Sequence, residues 1–270
     1  MEDGLPLVIF HIARGNGASL FLHPMNDPHR MLEVLEQGAV KGVYGREPQL
    51  AALHGFRDEL YSCLDNAVAR WALERSFIPR FVTAAAAFVL SYFVLSFLLR
   101  GAVPIAVHLV GAVLAGVATH QALARRRLAA ESTVQKRETL REQLDRIVFS
   151  EHDFVYRLEE HLHHLESLSP EAVVDGLLAQ HGELVRDHEY ELAEQLVRLL
   201  ALRFSGSGYR RKARKLVRLA ADSGGTREVS RREVTAIKSW AVNATGDIAL
   251  FGLLVSVQAA LRQCNRSPAN

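Results

Sequence analysis

With 32 basic and 30 acidic side chains among 270 residues, for a net charge of +2, the chain lacks the overall positive field of a protein that coats nucleic acid. Its two cysteines, Cys63 and Cys264, are far apart and form neither a metal-ligand pair nor a disulfide framework, so a reducing, cytosol-facing environment suits them. The apolar fraction is an ordinary 49%, but it is concentrated in a few segments.

Met1-Glu2-Asp3 is acidic where a secretory signal would be basic, and His11 and Arg14 interrupt the apolar run behind it. Membrane delivery is therefore expected to fall to a later segment. Leu7–Ile12 and Ser19–His23 are rich in Val, Ile, Phe and Leu and read as two short strands joined through Arg14-Gly15-Asn16-Gly17. Gly15-x-Gly17 lacks the third glycine, the lysine and the following helix of a phosphate loop, so it reads as a tight turn. Asn26-Asp27-Pro28 starts a helix running to about Gln37. A loop punctuated by Gly38, Gly42 and Gly45 follows, and Pro48 opens a longer helix. There Leu50, Leu53, Leu60, Leu64, Val68 and Trp71 recur at three- and four-residue steps and make one apolar face. Phe77 and Pro79 break it, and Trp71, Phe77 and Arg80 suit a membrane interface. Residues 1–78 thus form a cytoplasmic α+β region, a small β-hairpin plus helices.

Residues 79–121 decide the solvent. Phe81–Leu99 and Ala102–Thr119 are back-to-back apolar runs separated only by Arg100 and Gly101. As helices they span about 27 Å each, close to the hydrocarbon thickness of a bilayer. They read as a transmembrane helical hairpin, against the alternative of a hairpin buried in a soluble bundle. Arg70, Arg75 and Arg80 precede it and Arg125, Arg126 and Arg127 follow, so both flanks are expected to stay in the cytoplasm.

Residues 122–168 read as a helical extension from Ala122 towards Leu165, with Leu140, Leu144, Ile147, Phe154, Leu158 and Leu165 in a partial heptad that Glu151 and His161 interrupt. Residues 169–270 form a helical domain. Ser169-Pro170-Glu171 starts one helix, which Gly182 ends or bends. A second runs from about Glu183 to Phe204, and Ser205–Gly208 is a linker. A basic helix covers Tyr209 to Ala221 until Ser223-Gly224-Gly225, and Ser230 with Glu233 makes a capping box for the last helix. Ile248–Leu261 has the length of a buried core helix. Extended back to Trp240 it reaches span length, with Asn243 and Asp247 inside, so 240–261 is either a buried or interfacial helix or a third crossing.

Three groups of residues invite chemistry. His152, Asp153, Glu160, His161, His163 and His164 cluster within 152–164, with His181, His188 and Glu191 beyond. Glu160 and His163 have the Glu-x-x-His spacing of di-metal bundles, but no second such pair follows, so a solvated helix face is the reading and no metal is expected. Arg210, Arg211, Lys212, Arg214, Lys215 and Arg218 share one helix and are candidates for contact with anionic lipid headgroups. Gly111, Ala115, Gly116 and Ala84–Ala87 permit close approach within the hairpin, and His108 and Asp247 are the candidate intramembrane polar residues. No catalytic triad order, Walker loop or zinc-protease helix is present, so no catalytic or cofactor-binding residue is assigned.

The expectation is a mainly α, multi-pass protein of the cell membrane, an anchored scaffold or structural subunit. Its cytoplasmic helices would bind protein partners or a second copy, its membrane element the lipid bilayer; nucleic acid is not an expected partner. The alternative is a small oligomeric channel or transporter whose third span lines a polar path.

Overall fold

The computed structural model describes residues 7–25, 27–37, 40–99, 104–179, 184–222 and 231–264. The expectations placed on Asn26, Gly38, the Arg100-Gly101 turn, His181, Gly182, Ser223–Gly225 and Ser230 fall outside these residues. The described residues are mainly helical, with eleven α-helices and one four-stranded sheet. They divide into two units, one of Met1–Pro24, Ala39–Arg57 and Ile147–Asn270, the other of Met25–Gly38 and Asp58–Arg146.

The first unit holds the sheet. Strand β1 (Leu7–Ala13) buries Val8, Phe10 and Ile12 on one face and Ile9 and His11 on the other. Both faces being covered, it reads in sequence as an unbroken apolar run rather than an alternation. Strand β2 (Ser19–Leu22) pairs with it antiparallel, Phe10 opposite Leu22. The turn between them has three residues. The Gly17 N–H donates to the Arg14 carbonyl (3.0 Å), the Arg14 N–H to the Ala18 carbonyl (2.9 Å), and Gly17 takes φ of 78°. Glycine tolerates that angle without steric cost, which is why the turn closes at this residue.

Strands β3 (Val40–Tyr44) and β4 (Phe149–Glu151) both run parallel to β1, giving the order β2-β1-β3-β4. Neither strand was expected. Gly42 and Gly45 read as loop punctuation, yet each lacks a side chain for a packing reason. The Phe149 ring of β4 lies where a Gly42 side chain would stand. A methyl group on Gly45 would come 2.5 Å from the Tyr156 backbone nitrogen, so the end of β3 abuts helix α6 (Asp153–Glu166) backbone to backbone. The His152 N–H donates to the Tyr44 carbonyl (2.8 Å) while its ring nitrogen Nδ1 accepts from the Phe154 N–H (3.2 Å). One residue therefore ends the strand and caps the helix; the expected continuous helix from Ala122 to Leu165 is instead the end of a helix at Leu128, a second over Glu131–Asp145, β4 and α6.

On one side of the sheet stand α6, α7 (Pro170–Ala179), a 3-10 turn (Asp187–Glu189), α8 (Tyr190–Arg203), α9 (Ser207–Asp222), α10 (Arg231–Val242) and α11 (Ile248–Cys264). Helix α11 is the centre of this layer: it packs on α6, α7, α8 and α9, and eleven residues between Leu250 and Leu261 are buried. Phe204, Tyr209, Trp240 and Phe251 join around it with ring centroids 5.3–5.5 Å apart. The stretch 240–261 is thus not one helix. Helix α10 stops at Val242, and Asp247 caps α11 by accepting the Leu250 N–H (3.0 Å), so the span-length helix from Trp240 does not form.

The second unit is helical throughout: α1 (Pro28–Gln37), α2 (Leu50–Arg75) from Asp58 onward, α3 (Phe77–Leu98), α4 (Ile105–Leu128) and α5 (Glu131–Asp145). Asp27 caps α1 by accepting the His29 N–H (2.8 Å). Ion pairs fix α5 to α1 and α2: Lys136 with Glu36, and Arg141 (2.7 Å) and Arg137 (3.3 Å) with Asp65. At the α2–α3 junction the buried Arg80 folds back, its guanidinium donating to the Leu73 (2.7 Å) and Ser76 (3.2 Å) carbonyls. A cation there adds a donor to carbonyls at the negative end of α2, the Ser76 carbonyl also accepting the Arg80 backbone N–H (3.1 Å).

Candidate functional site

Helices α3 and α4 are both long and apolar enough to cross a membrane, and they pack on one another. They run past each other in opposite directions: Gly116 meets Phe88 and Ala84, and Gly111 meets Leu95. On the α4 side of the seam the small Ala112 and Gly116 are buried together with His108, letting α3 approach closely. His108 Nε2 has no hydrogen-bond partner among the described residues. Everywhere else the pair presents bulky apolar side chains outward, among them Leu90, Phe93, Phe97, Ile105, Val110 and Leu114. Only 6% of the most apolar stretch of α3 and 17% of that of α4 is buried. Leaving a Val, Leu or Phe in water rather than burying it forfeits about 1.5–3 kcal/mol, and apolar patches of this extent mark membrane or partner contact.

The first unit carries a cleft of about 500 Å³ at the carboxyl end of β1. Leu165, Leu168, Val173 and Ile248 line it, with Asn16, His163, Glu166 and Ser167 as polar neighbours. Its organising residue is Arg14, which reaches Glu166 on α6 (2.6 Å) and Asp247 at the start of α11 (2.6 Å). The Gly15 N–H donates to the second Glu166 oxygen (2.7 Å). Burial disfavours the Arg14 charge, but Glu166 and Asp247 outweigh it and hold the guanidinium protonated above its ordinary range. Beside it the buried Glu159 accepts the Ala13 N–H (2.8 Å), and burial pushes its carboxyl above the usual range despite that bond. Arg14 is a tie between three elements, already committed to two carboxylates. The Ser167 hydroxyl donates to the His164 carbonyl (2.7 Å) and is not activated by an imidazole.

Arg14 was seen in the sequence as part of a turn, but its partners are distant in the chain and gave no local signal. Asp247, a candidate intramembrane residue, stands in this ion pair. The histidine-rich helix is dispersed. His161 bonds Ser256 of α11 (2.9 Å), whereas Glu160, His163 and His164 are exposed. Among the described residues no three His, Cys, Asp or Glu side chains are placed to hold a metal ion. On α9 the basic residues split by role. Lys215 pairs with Glu233 (3.0 Å) and Lys212 lies over Trp240 (5.8 Å), while Arg210, Arg211, Arg214 and Arg218 are exposed opposite the buried Ala213, Leu216 and Val217.

Compared with protein families, curated proteins and solved structures, the chain matches none of them, so its function is argued from these two features alone.

Proposed function

We propose that α3 and α4 insert in a bilayer as a two-span hairpin and that the rest of the chain is a cytoplasmic scaffold holding protein partners at the membrane. One observation carries the reading. Two helices of span length touch each other where small residues of α4 meet Ala84, Phe88 and Leu95 of α3, and turn most of their large apolar side chains outward. A core helix of a soluble protein does the reverse, as α11 shows in the same chain. Sidedness rests on arginines: Arg70, Arg75 and Arg80 before the spans, Arg125, Arg126 and Arg127 after them. The scaffold role is supported by the large folded unit, a four-stranded sheet with its layer of helices, that the chain carries beside a minimal membrane element. Headgroup contact by α9 would fall to its exposed arginines, Arg210, Arg211, Arg214 and Arg218.

The channel reading needs a third span bearing Asp247. It loses support because Asp247 caps α11 and pairs with Arg14. A reporter fused after Asn270 tests this proposal. Activity confined to the cytoplasmic side is expected; activity confined to the far side would require a third crossing or the inverse orientation, and either defeats the cytoplasmic scaffold.

A further inference from the structure

A second cavity, of about 330 Å³, lies within the helical second unit where α2 passes into α3 and α4 into α5. Trp71, Arg75, Ser76, Arg127, Ser132 and Thr133 line it, together with Ala72. Among its described lining residues none is acidic, and neither Arg75 nor Arg127 is in an ion pair among the described residues. The nearest acidic residue on α2, Glu74, is taken by Arg70 (2.8 Å). The Trp71 ring forms one wall, with the Arg75 guanidinium 5.6 Å and the Lys136 ammonium 4.2 Å from its centroid. The Ser76 hydroxyl donates to the Ala72 carbonyl (2.8 Å) and that of Thr133 to the Arg127 carbonyl (2.9 Å), which fixes both oxygens in the wall. Ser132 and Thr133 stand in the first turn of α5, whose positive end adds to the field of the arginines and is partly offset by the exposed Glu131 of the same turn, which does not line the cavity.

We propose that this cavity binds a phosphate group, supplied by the headgroup of an anionic phospholipid. Guanidinium groups grip phosphate oxygens in pairs; the Ser76 and Thr133 protons being spent on carbonyls, Ser132 is the hydroxyl in this wall that can donate to the anion. The lipid source follows from position. Arg75 is two residues before Phe77 and three before Ile78, both exposed apolar residues at the start of α3, and Arg127 lies in the last turn of α4. If α3 and α4 enter lipid, as proposed above and as this inference requires, the cavity opens at headgroup depth. A tryptophan and arginines are the residues that favour that depth.

The test is native mass spectrometry of the full chain released from nanodiscs of phosphatidylcholine doped with phosphatidylglycerol. One phosphatidylglycerol retained per chain is expected, with phosphatidylcholine lost. Arg75→Gln with Arg127→Gln should weaken retention about thirtyfold, at roughly fivefold per arginine. Arg75→Lys with Arg127→Lys should restore most of it, and Arg198→Gln with Arg203→Gln on α8, exposed and given no part in lipid contact, should leave it unchanged. Should the double Gln variant melt early, Arg127→Gln alone is read against Arg127→Lys at matched Tm. Unchanged retention in the Gln variants overturns the site. Displacement of the lipid by inorganic phosphate at equal concentration overturns the lipid assignment in favour of a soluble anion. Alkaline carbonate extraction of the same membranes separates the two claims: a chain that stays embedded but retains no anionic lipid refutes the cavity and leaves the membrane reading standing.

Discussion

Arg14, in the turn after β1, and Asp247, the cap of α11, meet at 2.6 Å and join the two ends of the sequence within one folded unit. Asp247 therefore works as a structural residue. Arg14→Gln should cost about 1–3 kcal/mol, because it strips charge-assisted bonds from Glu166 and Asp247 at partly buried positions. In a double-mutant cycle with Asp247→Asn the two losses should be non-additive by at least about 0.5 kcal/mol. Thermal unfolding followed by near-ultraviolet circular dichroism measures both. Strict additivity would mean that the pair is not coupled.

Phe251 sits where Phe204, Tyr209 and Trp240 converge on α11. Phe251→Ala should destabilise the first unit by about 3–5 kcal/mol. The near-ultraviolet signal of the aromatic cluster should fall in parallel. An outward residue of a membrane span would tolerate the same change far better, so a loss below about 1 kcal/mol would place α11 outside the core.

Gly45 ends β3 against the backbone of Tyr156. Gly45→Ala would displace the Glu159 carboxylate and, nearer still, meet the Tyr156 backbone, which cannot swing aside, so β3 and α6 must separate, at a cost of about 1–3 kcal/mol. Gly55, whose added methyl group meets nothing within 4 Å, is the control, and Gly55→Ala should be neutral or slightly stabilising. Equal effects of the two substitutions would contradict the strand assignment.

His11 is buried in β1 with its Nε2 3.0 Å from the Ser19 hydroxyl, and burial holds its imidazole below the ordinary histidine range. The unfolded chain then takes up the proton first as pH falls, so stability is full above about pH 6.5 and declines below it. His11→Gln keeps a polar side chain and cannot titrate. Its Tm should fall less than that of the unsubstituted chain between pH 7 and pH 5. Identical slopes would show that His11 is not the group responsible.

Much of the fold was written in local pattern, and what was not depends on distant partners. The β1–β2 pair announces itself through its Val, Ile and Phe run and through Gly17, the residue its turn needs. Asp27, Pro28 and Pro170 mark true helix starts. The helix α11 was legible as the apolar segment Ile248–Leu261, but its extension back to Trp240 left a third crossing open, because the cap made by Asp247 shows only in its bond to Leu250. Strand β3 was missed because Gly42 and Gly45 look like breakers until Phe149 and Tyr156 are seen against them. Strand β4 was missed because three residues, Phe149-Ser150-Glu151, carry no periodicity of their own and sit inside a near-heptad from Leu140 to Leu165. That pattern belongs to two helices, α5 and α6, each with its own apolar face. The Arg14–Glu166–Asp247 tie was invisible for the same reason: no rule of spacing connects a turn near residue 14 to a cap at 247.

The central claim is that lipid surrounds the outward faces of α3 and α4. It is tested most directly by spin labels at Leu90→Cys and Leu114→Cys, with Cys63 and Cys264 replaced by serine and Leu202→Cys on α8 as the water-exposed reference. In bilayers, labels at 90 and 114 should relax strongly with oxygen and weakly with a water-soluble nickel reagent, and the label at 202 should do the opposite. Nickel accessibility at 90 and 114 equal to that at 202 would contradict the account.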